Sequence, residues 1–253
     1  MKAPMRAMVL AAGLGTRLRP LTADRPKALV EVAGRTLLEI TLARLRSFGV
    51  RDVIVNVHYF ADLVIDYLRA NHNFGMHIEV SREDALLLDT GGGLKKAAPF
   101  FLDDSGREDE PFILHNVDVI STTNLQQMVE FHQANRALAT LAVRDRKSSR
   151  YLLFNGDSEL CGRQAGGEKP REVVRSCPSG HPLAFSGIHV ISIRMLEMIR
   201  QEGVFSIIDT YLDLAARGGK ILAFRNDDCY WMDLGRPENV VQASREVEQW
   251  STT

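Results

Sequence analysis

A short apolar run that breaks at once into glycines is the feature that most constrains this chain. The apolar residues 8–11 predict a buried strand, and Gly13 and Gly15 follow it directly. Glycine lets a backbone approach a ligand closely because it has no Cβ. The N–H groups of such a turn, with a helix N-terminus behind it, predict an anion site. Arg17 and Lys27 follow within reach, so the run indicates a site that holds a polyphosphate and stabilises charge developing on it.

Two commoner phosphate-binding loops do not match this run. The dinucleotide fingerprint needs G-x-G-x-x-G; Gly13 and Gly15 supply its first two glycines, but Leu18 stands at the third. The P-loop pattern G-x-x-x-x-G-K-[ST] has no match in the chain. A lone Gly-x-Gly is also typical of an ordinary strand-to-helix turn, so the phosphate interpretation depends on the residues around it.

Alternating strand and helix patterns predict the fold of the first half. Apolar runs predict strands over 7–11, 53–57, 76–80, 112–115 and 138–143, and helical spacing predicts helices over 37–48, 61–70 and 125–134. Thr36 is a suitable N-cap for the first helix, and Gly49 follows its end. The alternation predicts an α/β fold: a doubly wound, mostly parallel, Rossmann-like sheet with helices on both faces. Ligands then bind at the C-terminal ends of the strands.

The region over 144–182 differs from the rest in composition. It contains polar clusters, the pair Gly166-Gly167 and prolines at positions 170, 178 and 182, which predict short strands and loops in a small flap or lobe over the sheet. Beyond it we expect a strand over 183–191, helices over 195–200 and 207–216, a strand over 221–224 and a helix beginning at Pro237. We expect a single domain over 1–253, with a core over 1–143, the lobe over 144–190 and C-terminal helices over 191–253.

Composition and charge exclude several classes of function. The formal net charge is −1 and the pI is about 6.7, so nucleic acid is not an expected partner. No apolar run is long enough to span a membrane, and the first residues do not resemble a signal peptide. Cys161, Cys177 and Cys229 lack metal-ligand spacing. We therefore expect the three cysteines to be reduced thiols in a cytoplasmic protein. We expect no membrane partner.

Two neighbouring segments resemble a known family. They are Leu-Ala-Ala-Gly-Leu-Gly-Thr-Arg-Leu-Arg-Pro-Leu-Thr over 10–22 and Pro-Lys-Ala-Leu-Val-Glu-Val over 26–32. Together they closely resemble the signature of the sugar-1-phosphate nucleotidyltransferases, and the chain length matches the compact uridylyl- and guanylyltransferases of that family. The resemblance implies that Arg17 contacts the leaving β/γ-phosphates of a nucleoside triphosphate (NTP) and that Lys27 contacts its α-phosphate.

Two aspartates match the metal ligands of that family. Asp118 follows the apolar strand, in His-Asn-Val-Asp-Val, and Asp233 lies in Trp-Met-Asp-Leu-Gly-Arg-Pro-Glu. The resemblance implies that both bind Mg²⁺, which prefers carboxylates together with phosphate oxygens. Val117 stands where the family usually has glycine, which narrows the space beside the metal. From the residues alone, Asp118 is also a suitable cap for the following helix, and Asp233 a turn residue.

The resemblance also assigns residues to the two substrates. Thr-Gly-Gly-Gly over 90–93 begins a helix pattern and resembles the segment that holds the base and ribose in the family. We expect its glycines either to present free N–H and C=O groups or to form a flexible connection. Glu-Lys-Pro over 168–170 and Phe-Ser-Gly over 185–187 resemble sugar-side segments. The expected nucleotide-binding residues are Ala11, Ala12, Gly13, Gly15, Thr16, Thr90, Gly91 and Gly92, and the expected substrate-binding residues are Asn116, Lys169, Ser186 and Gly187.

The activity that the resemblance implies is transfer of a nucleotidyl group from an NTP to a sugar 1-phosphate, giving a nucleotide sugar and pyrophosphate. UTP or GTP is the expected NTP, and the expected form is a monomer or a small homo-oligomer. Three alternatives stay open: a phosphocholine cytidylyltransferase with a similar loop, a non-catalytic nucleotide-sugar-binding protein on the same fold, and an NAD-dependent oxidoreductase. Leu18 in place of the third glycine disfavours the oxidoreductase.

Overall fold

The computed structural model of the protein describes residues 5–102, 110–165, 171–178 and 180–246. Its strands, in chain order, are β1 (Arg6–Leu10), β2 (Glu31–Val32), β3 (Arg35–Thr36), β4 (Asp52–Val57), β5 (His77–Arg82), β6 (Pro111–Asn116), β7 (Val119–Ser121), β8 (Ala139–Arg144), β9 (Arg150–Phe154), β10 (Leu160–Ala165), β11 (Arg171–Val173), β12 (His181–Ser192), β13 (Ile221–Arg225) and β14 (Trp231–Asp233). Its α-helices are α1 (Leu37–Ser47), α2 (Ala61–Ala70), α3 (Asp89–Ala97), α4 (Pro99–Leu102), α5 (Leu125–Ala134), α6 (Arg194–Glu197), α7 (Ile207–Ala216) and α8 (Pro237–Arg245). Among these described helices, none combines the length and the apolar character needed to cross a membrane.

The central sheet has the strand order β5-β4-β1-β6-β12-β8-β13. β1 pairs in parallel with both β4 and β6, and β4 pairs in parallel with β5. β12 runs antiparallel to β6 and β8, while β8 and β13 are parallel to each other. Six of the seven strands therefore share one direction, and the mostly parallel sheet predicted from the sequence is confirmed.

Strand β1 sends apolar side chains into both faces of this sheet. Successive side chains of a strand point to opposite faces, and Ala7, Met8 and Val9 are all fully buried. Ala7 and Val9 belong to one apolar cluster with Leu42 of α1, whereas Met8 belongs to a second cluster with Leu94 of α3. Helices therefore cover both faces, as in a doubly wound sheet. The C-terminal ends of β1, β4 and β6 consequently meet at one edge.

The first predicted helix forms with the expected ends. Thr36 caps it, because its Oγ1 accepts a hydrogen bond from the N–H of Glu39 at 3.0 Å. Gly49 lies just past its end with a φ of 83°, a conformation that glycine adopts without steric cost. Both the cap and the terminating glycine were predicted from the sequence and are confirmed.

Two other helix predictions were wrong. The helix expected over 195–200 is a single turn, α6, after which the chain continues in i→i+3 turns such as Met198 N–H to Met195 O at 3.0 Å. The glycine loop leads into one 3₁₀ turn over Thr16–Leu18 rather than the start of an α-helix. Arg19 is extended, with a ψ of 139°, because a residue that precedes proline is disfavoured in the helical region.

Strands β9, β10 and β11 form an antiparallel extension of the sheet, whereas β7 with β14 and β2 with β3 form two separate two-stranded sheets. β9 pairs with β10, β10 pairs with β11, and residues 181–183 of β12 pair with β9. Further along β12, residues 188–192 pair with β6. One long strand is therefore shared by the extension and the central sheet. Gly166, Gly167 and Pro170 lie outside the described residues.

Two of the three cysteines are joined in the structure. Cys161 of β10 and Cys177 form a disulfide with their Cα atoms 5.7 Å apart, within the usual range for such bonds. Cys229 is free. The expectation of three reduced thiols is therefore wrong for this structure. β11 brings the chain back along β10, and Val174 N–H donates to Cys161 O at 2.9 Å, a proximity that spacing along the sequence does not reveal.

A buried histidine connects α5 to two strands. The Nδ1 of His132 lies 3.0 Å from Thr140 Oγ1, and its Nε2 lies 2.9 Å from Ser192 Oγ. Ser192 Oγ donates to Ala137 O at 2.7 Å, so Nε2–H donates to Ser192 and Nδ1 accepts from Thr140. Burial lowers the pKa of His132 from 6.5 to about 4. The neutral form is therefore the one that this packing stabilises.

We expect His132 to make the free energy of unfolding depend on pH. Between pH 6.5 and about 4 the unfolded chain binds a proton at this residue that the folded protein excludes, so stability falls as the pH falls, by about 1.4 kcal/mol per pH unit. His132→Gln should reduce that slope. Urea unfolding at a series of pH values from 4.5 to 7.5 measures it. His181→Gln, at an exposed position, is the control, and an unchanged slope in His132→Gln would contradict the assignment.

Candidate active site

The glycine loop leaves β1 at the C-terminal edge of the sheet and is anchored there by buried polar groups. Ala11 N–H donates to Asn56 Oδ1 at 2.8 Å, and Asn56 Nδ2 donates to Glu83 Oε1 at 2.7 Å. The other oxygen of Glu83 accepts from Leu88 N–H at 2.9 Å. Asn56 is 2% exposed and Glu83 1% exposed. Because each buried polar group has a partner, the network fixes the start of the loop.

Sequence reasoning missed both Asn56 and Glu83. Asn56 stands inside the apolar strand Val-Ile-Val-Asn-Val, and Glu83 directly follows β5. A polar residue within an otherwise apolar strand, and a carboxylate at a strand's C-terminal end, are the signals that could have identified them. Each also has an ordinary interpretation, as a polar strand residue or a loop residue. Their link becomes visible only when β4 and β5 pair.

Positions 13 and 15 of the loop differ in what a side chain would meet there. Gly15 has a φ of 64°, and a Cβ there would lie 3.0 Å from Thr22 Cγ2. Thr22 Oγ1 donates to Gly15 O at 2.8 Å, so the turn is closed from that side. A Cβ on Gly13 would meet nothing within 4 Å, and Gly13 lines a cavity of about 350 Å³. Gly15 therefore shapes the turn, and Gly13 leaves its backbone open to the cavity.

Lys27 and Asp118 form an ion pair in the lining of this cavity. Lys27 is 9% exposed and begins a short 3₁₀ turn after Pro26. Its Nζ donates to Asp118 Oδ2, and both residues line the cavity together with Asn116 and Thr90. A buried ammonium group requires a partner of opposite charge, and the carboxylate supplies it. The structure thus brings together a predicted phosphate ligand and a predicted metal ligand.

Asp233 lies beside Asp118 although the two are far apart in sequence. β14 pairs antiparallel with β7, with Asp233 opposite Val119, and Leu234 N–H donates to Asp118 O at 2.8 Å. Asp118 does not cap the following helix, because Asn124 Oδ1 accepts the N–H of Gln127 there at 3.0 Å. The two predicted metal ligands therefore lie on backbone segments that are next to each other.

Asp233 is also a turn residue, as the alternative interpretation had it. Its Oδ1 accepts a hydrogen bond from Gly235 N–H at 2.6 Å. Arg17 lies over the same turn, because a Cβ on Gly235 would stand 3.0 Å from an Arg17 guanidinium nitrogen and 2.8 Å from Asp233 Oδ1. The structure therefore places the loop cation next to the second carboxylate. The described residues contain no group of three or more histidine, cysteine, aspartate or glutamate side chains that could hold a metal.

The glycines of α3 are used for packing against another segment. The N–H groups of Gly91 and Gly92 both donate to Phe205 O, at 2.9 and 3.3 Å. A Cβ on Gly92 would lie 2.4 Å from Gly203 O, and a Cβ on Gly93 would lie 2.8 Å from Asn56 Nδ2. The expected free N–H groups at Gly91 and Gly92 are therefore engaged. Thr90 remains on the wall of the cavity, while its Oγ1 accepts from Ile207 N–H at 3.0 Å.

The sugar-side residues that the structure describes are largely enclosed. Ser186 is fully buried, and its Oγ donates to Asn226 Oδ1 at 3.3 Å. Gly187 has a φ of 78°, and a Cβ there would lie 2.7 Å from Val119 Cγ2 and 3.1 Å from Asn116 Nδ2. The Oδ1 of Asn116 is buried and has no hydrogen-bond partner among the described residues. Lys169 lies outside the described residues.

Comparisons with known proteins identify the family and the fold. A family model described as nucleotidyl transferase matches residues 6–250. N-acetylmuramate alpha-1-phosphate uridylyltransferase of Caulobacter vibrioides is 34% identical over 255 residues, which cover 98% of this chain and 99% of that protein. Mannose-1-phosphate guanyltransferase of Yarrowia lipolytica is 30% identical over 242 residues, which cover 95% of this chain but 63% of that protein. HddC from Yersinia pseudotuberculosis, solved in complex with GMP-PN, superposes with a TM-score of 0.74 at 23% identity, covering 96% of this chain and 99% of that one.

An α/β sheet whose edge carries a glycine loop, two cations and two carboxylates defines a class of protein that handles phosphate esters. The chain belongs to the nucleotidyl transferase family. The likeness to HddC supports the fold.

Gly92→Ala tests whether α3 needs its glycines for close packing. In an open helix this change would stabilise the protein by about 1 kcal/mol. Here the Cβ would meet Gly203 O at 2.4 Å, and overpacking of this kind costs about 1–3 kcal/mol. We expect urea unfolding to show a lower free energy of unfolding. Gly156→Ala is the control, because a Cβ there meets nothing within 4 Å; a Gly92→Ala protein more stable than the wild type would disprove the close contact.

Proposed function

We propose that the protein transfers a nucleotidyl group from an NTP to a sugar 1-phosphate. The observation that carries this proposal is the contact of Lys27 with Asp118, with Asp233 on the adjacent strand and Arg17 over the same turn. Two cations and two carboxylates beside an open glycine loop suit a reaction in which phosphate charge must be held and redistributed. The names of the two relatives describe this kind of transfer.

The proposed reaction is an in-line displacement at the α-phosphorus. An oxygen of the sugar phosphate attacks that phosphorus, a new P–O bond forms, and the bond to the β-phosphate breaks to release pyrophosphate. No covalent intermediate with the protein is required. Lys27 then stabilises negative charge on the α-phosphate, and Arg17 stabilises charge on the departing pyrophosphate. Fixed positions are as important as charge, because orientation of the two substrates lowers the barrier.

Asp118 and Asp233 fit a divalent cation such as Mg²⁺. Asp118 directly precedes β7, and Asp233 ends β14, which pairs with β7. Asp118 already accepts a positively charged group, the ammonium of Lys27. Hard cations of this kind take one or two carboxylates together with phosphate oxygens. Mg²⁺ bound there would neutralise charge on the α-phosphate and the sugar phosphate. The protein's part is to hold the two carboxylates in place through the β7–β14 ladder.

The cavity beside the glycine loop is the proposed nucleotide site. It is lined by Gly13, Ala12 and Thr90 from the predicted nucleotide-binding set, and we retain Ala11, Gly15, Thr16, Gly91 and Gly92 as residues that shape it. The names of the relatives favour UTP or GTP as the NTP. Asn116, whose Oδ1 is a buried acceptor without a partner among the described residues, is proposed to bind substrate at the same edge.

The sugar is assigned to the lobe over 144–190, on the resemblance of its segments to sugar-side segments. Gly187 and Ser186 contribute backbone to that side, since the Ser186 hydroxyl is enclosed, and Lys169 is retained as a proposed contact to the sugar phosphate. We further propose a cytoplasmic enzyme that acts as a monomer or small homo-oligomer. The core, lobe and C-terminal segment are proposed to work as one domain.

The alternatives have less support. A non-catalytic nucleotide-sugar-binding protein would not need Arg17, Lys27 and both aspartates in one place. An oxidoreductase is disfavoured because Leu18, at the position of the third glycine, is fully buried in the core. A phosphocholine cytidylyltransferase would share the phosphate chemistry and differ only in the acceptor.

One matrix of assays tests the proposal. The four NTPs are each combined with a panel of sugar 1-phosphates and with phosphocholine, and pyrophosphate release is measured. Release with one NTP and one sugar 1-phosphate supports the proposed function. Release with phosphocholine alone would support the cytidylyltransferase, and no release with any pair would reject nucleotidyl transfer to these acceptors.

Lys27→Ala should lower turnover far more than it lowers stability. Losing one donor to a reacting phosphate typically costs about 10²–10³ in rate, or about 2.7–4 kcal/mol. The turnover number with the best substrate pair measures this loss, and thermal unfolding separates it from misfolding. Lys220→Ala, at an exposed position away from the site, is the control. Near-normal turnover in Lys27→Ala would remove Lys27 from the mechanism.

Asp118→Asn and Asp233→Asn should each raise the Mg²⁺ concentration needed for half-maximal rate, by about 10-fold or more. An amide is a poorer ligand for a hard dication than a carboxylate. Mg²⁺ titrations of the rate at fixed substrate concentrations measure the shift. The exposed Asp228 provides the control variant Asp228→Asn. If both site variants gave the wild-type titration curve, the two aspartates would not share a metal.

A further inference from the structure

Arg146, which follows β8, has a fixed position that the mechanism above does not use. Its guanidinium carbon lies 4.2 Å from the centre of the Trp231 ring. One terminal nitrogen donates to Phe185 O at 3.2 Å and the other to Lys147 O at 3.3 Å. Its Nε is buried and has no hydrogen-bond partner among the described residues. Arg146 is therefore held in place by a ring and two carbonyls while part of its donor capacity is unused.

Trp231, on which Arg146 stacks, is itself held in place by a hydrogen bond. Its Nε1–H donates to Ser186 O at 2.8 Å, and it begins the strand that carries Asp233. The stacked guanidinium therefore lies between the sugar-side strand β12 and the second carboxylate. Burial lowers the pKa of Arg146, and the charge of Asp233 opposes that shift. An arginine held over an aromatic face keeps its planar fork oriented, which reduces the entropy lost when it binds a ligand.

The space in front of Arg146 is strongly cationic. A cavity of about 720 Å³ is lined by Arg17, Arg146, Lys147 and Arg236 on the positive side and by one carboxylate, Asp233. Arg236, which directly precedes α8, also lies 3.9 Å from Glu238, and both side chains are exposed. The positive charges in the lining outnumber the negative charge by three, so the chemistry of this surface favours an anion. It shares no lining residue with the cavity at Gly13.

We propose that this cavity is a second phosphate-binding site and that Arg146 is its principal ligand. The guanidinium fork matches the geometry of phosphate oxygens and binds them in pairs. This inference rests on the proposed function, because it takes the bound phosphate to be part of one of the two substrates of that reaction. The sugar phosphate is the favoured source, because Arg146 and Trp231 are both hydrogen-bonded to the sugar-side strand. The terminal phosphates of the NTP are the other source, since Arg17 borders the same cavity.

The first test measures anion binding without catalysis. Isothermal titration of the metal-free protein with inorganic phosphate and with pyrophosphate, at low ionic strength, gives the affinities. Arg146→Ala should weaken binding of at least one probe by about 10- to 100-fold, the usual range for a charged hydrogen-bond partner. Arg146→Lys should be intermediate, since it keeps the charge but loses the fork and the stack.

Arg144→Ala is the matched control. Arg144 lies 5.7 Å from the same Trp231 ring, but its guanidinium donates to Asp227 O at 3.0 Å and it does not line the cavity. The Arg144→Ala protein should therefore bind phosphate and pyrophosphate with wild-type affinity. Wild-type affinity for both probes in Arg146→Ala, or no binding of either probe by the wild type, would overturn the proposal. Near-ultraviolet circular dichroism and the Arg146→Lys protein exclude a trivial loss through misfolding.

Steady-state kinetics then identify the source of the phosphate. In Arg146→Ala, a higher KM for the sugar phosphate with an unchanged KM for the NTP assigns the site to the acceptor. A higher KM for the NTP with an unchanged KM for the acceptor assigns it to the terminal phosphates. Unchanged KM and turnover for both substrates would contradict a role for Arg146 in the reaction. If the enzyme turned over no pair at all, the proposed function would fail while the titrations still decided whether the anion site exists.

Discussion

The pairing of β14 with β7 is the contact on which the candidate active site depends. Leu234 N–H donates to Asp118 O at 2.8 Å, so a segment from the middle of the chain and one from its C-terminal part are joined at the sheet edge. This ladder places Asp233 beside Asp118, and it carries Gly235, over which Arg17 lies. Strand side chains alternate between faces, so a slip of one residue in this register would move Asp233 away from Val119 and turn its side chain to the other face of the ladder. The position of the second carboxylate is therefore a property of tertiary structure.

The contact between Lys27 and Asp118 shows how the site keeps its charges balanced. Lys27 is 9% exposed, and a buried ammonium without a partner would be costly. On the proposed mechanism, a phosphate would replace the carboxylate as the partner of Lys27, and a dication would replace the ammonium as the partner of Asp118. Each side chain would exchange one oppositely charged partner for another. Substrate and metal binding would then be linked, because neither side chain would be left unpaired when both had bound.

The sequence predicted the features that local patterns determine. The β1 strand, the cap at Thr36 and the mostly parallel sheet are confirmed because apolar period, capping chemistry and strand–helix alternation act over a few residues. The proximity of the segments that carry Asp118 and Asp233 was expected only from the family resemblance, since no local rule joins them. The disulfide between Cys161 and Cys177 and the engaged N–H groups at Gly91 were mispredicted. Both features depend on which distant backbone segment lies next to these residues. The whole fold determines that contact, and no local pattern reveals it.

The contacts of Trp231 cross the boundary between the lobe expected over 144–190 and the C-terminal segment. This residue belongs to the C-terminal segment, yet its indole N–H donates to Ser186 O and its ring supports Arg146, both in the lobe expected over 144–190. Its own strand then carries Asp233 to the central edge. A single side chain thus connects the sugar-side strand, a cation and a proposed metal ligand. The lobe expected over 144–190 and the C-terminal segment are therefore joined at Trp231, through two contacts of its ring and through the strand that leads to Asp233.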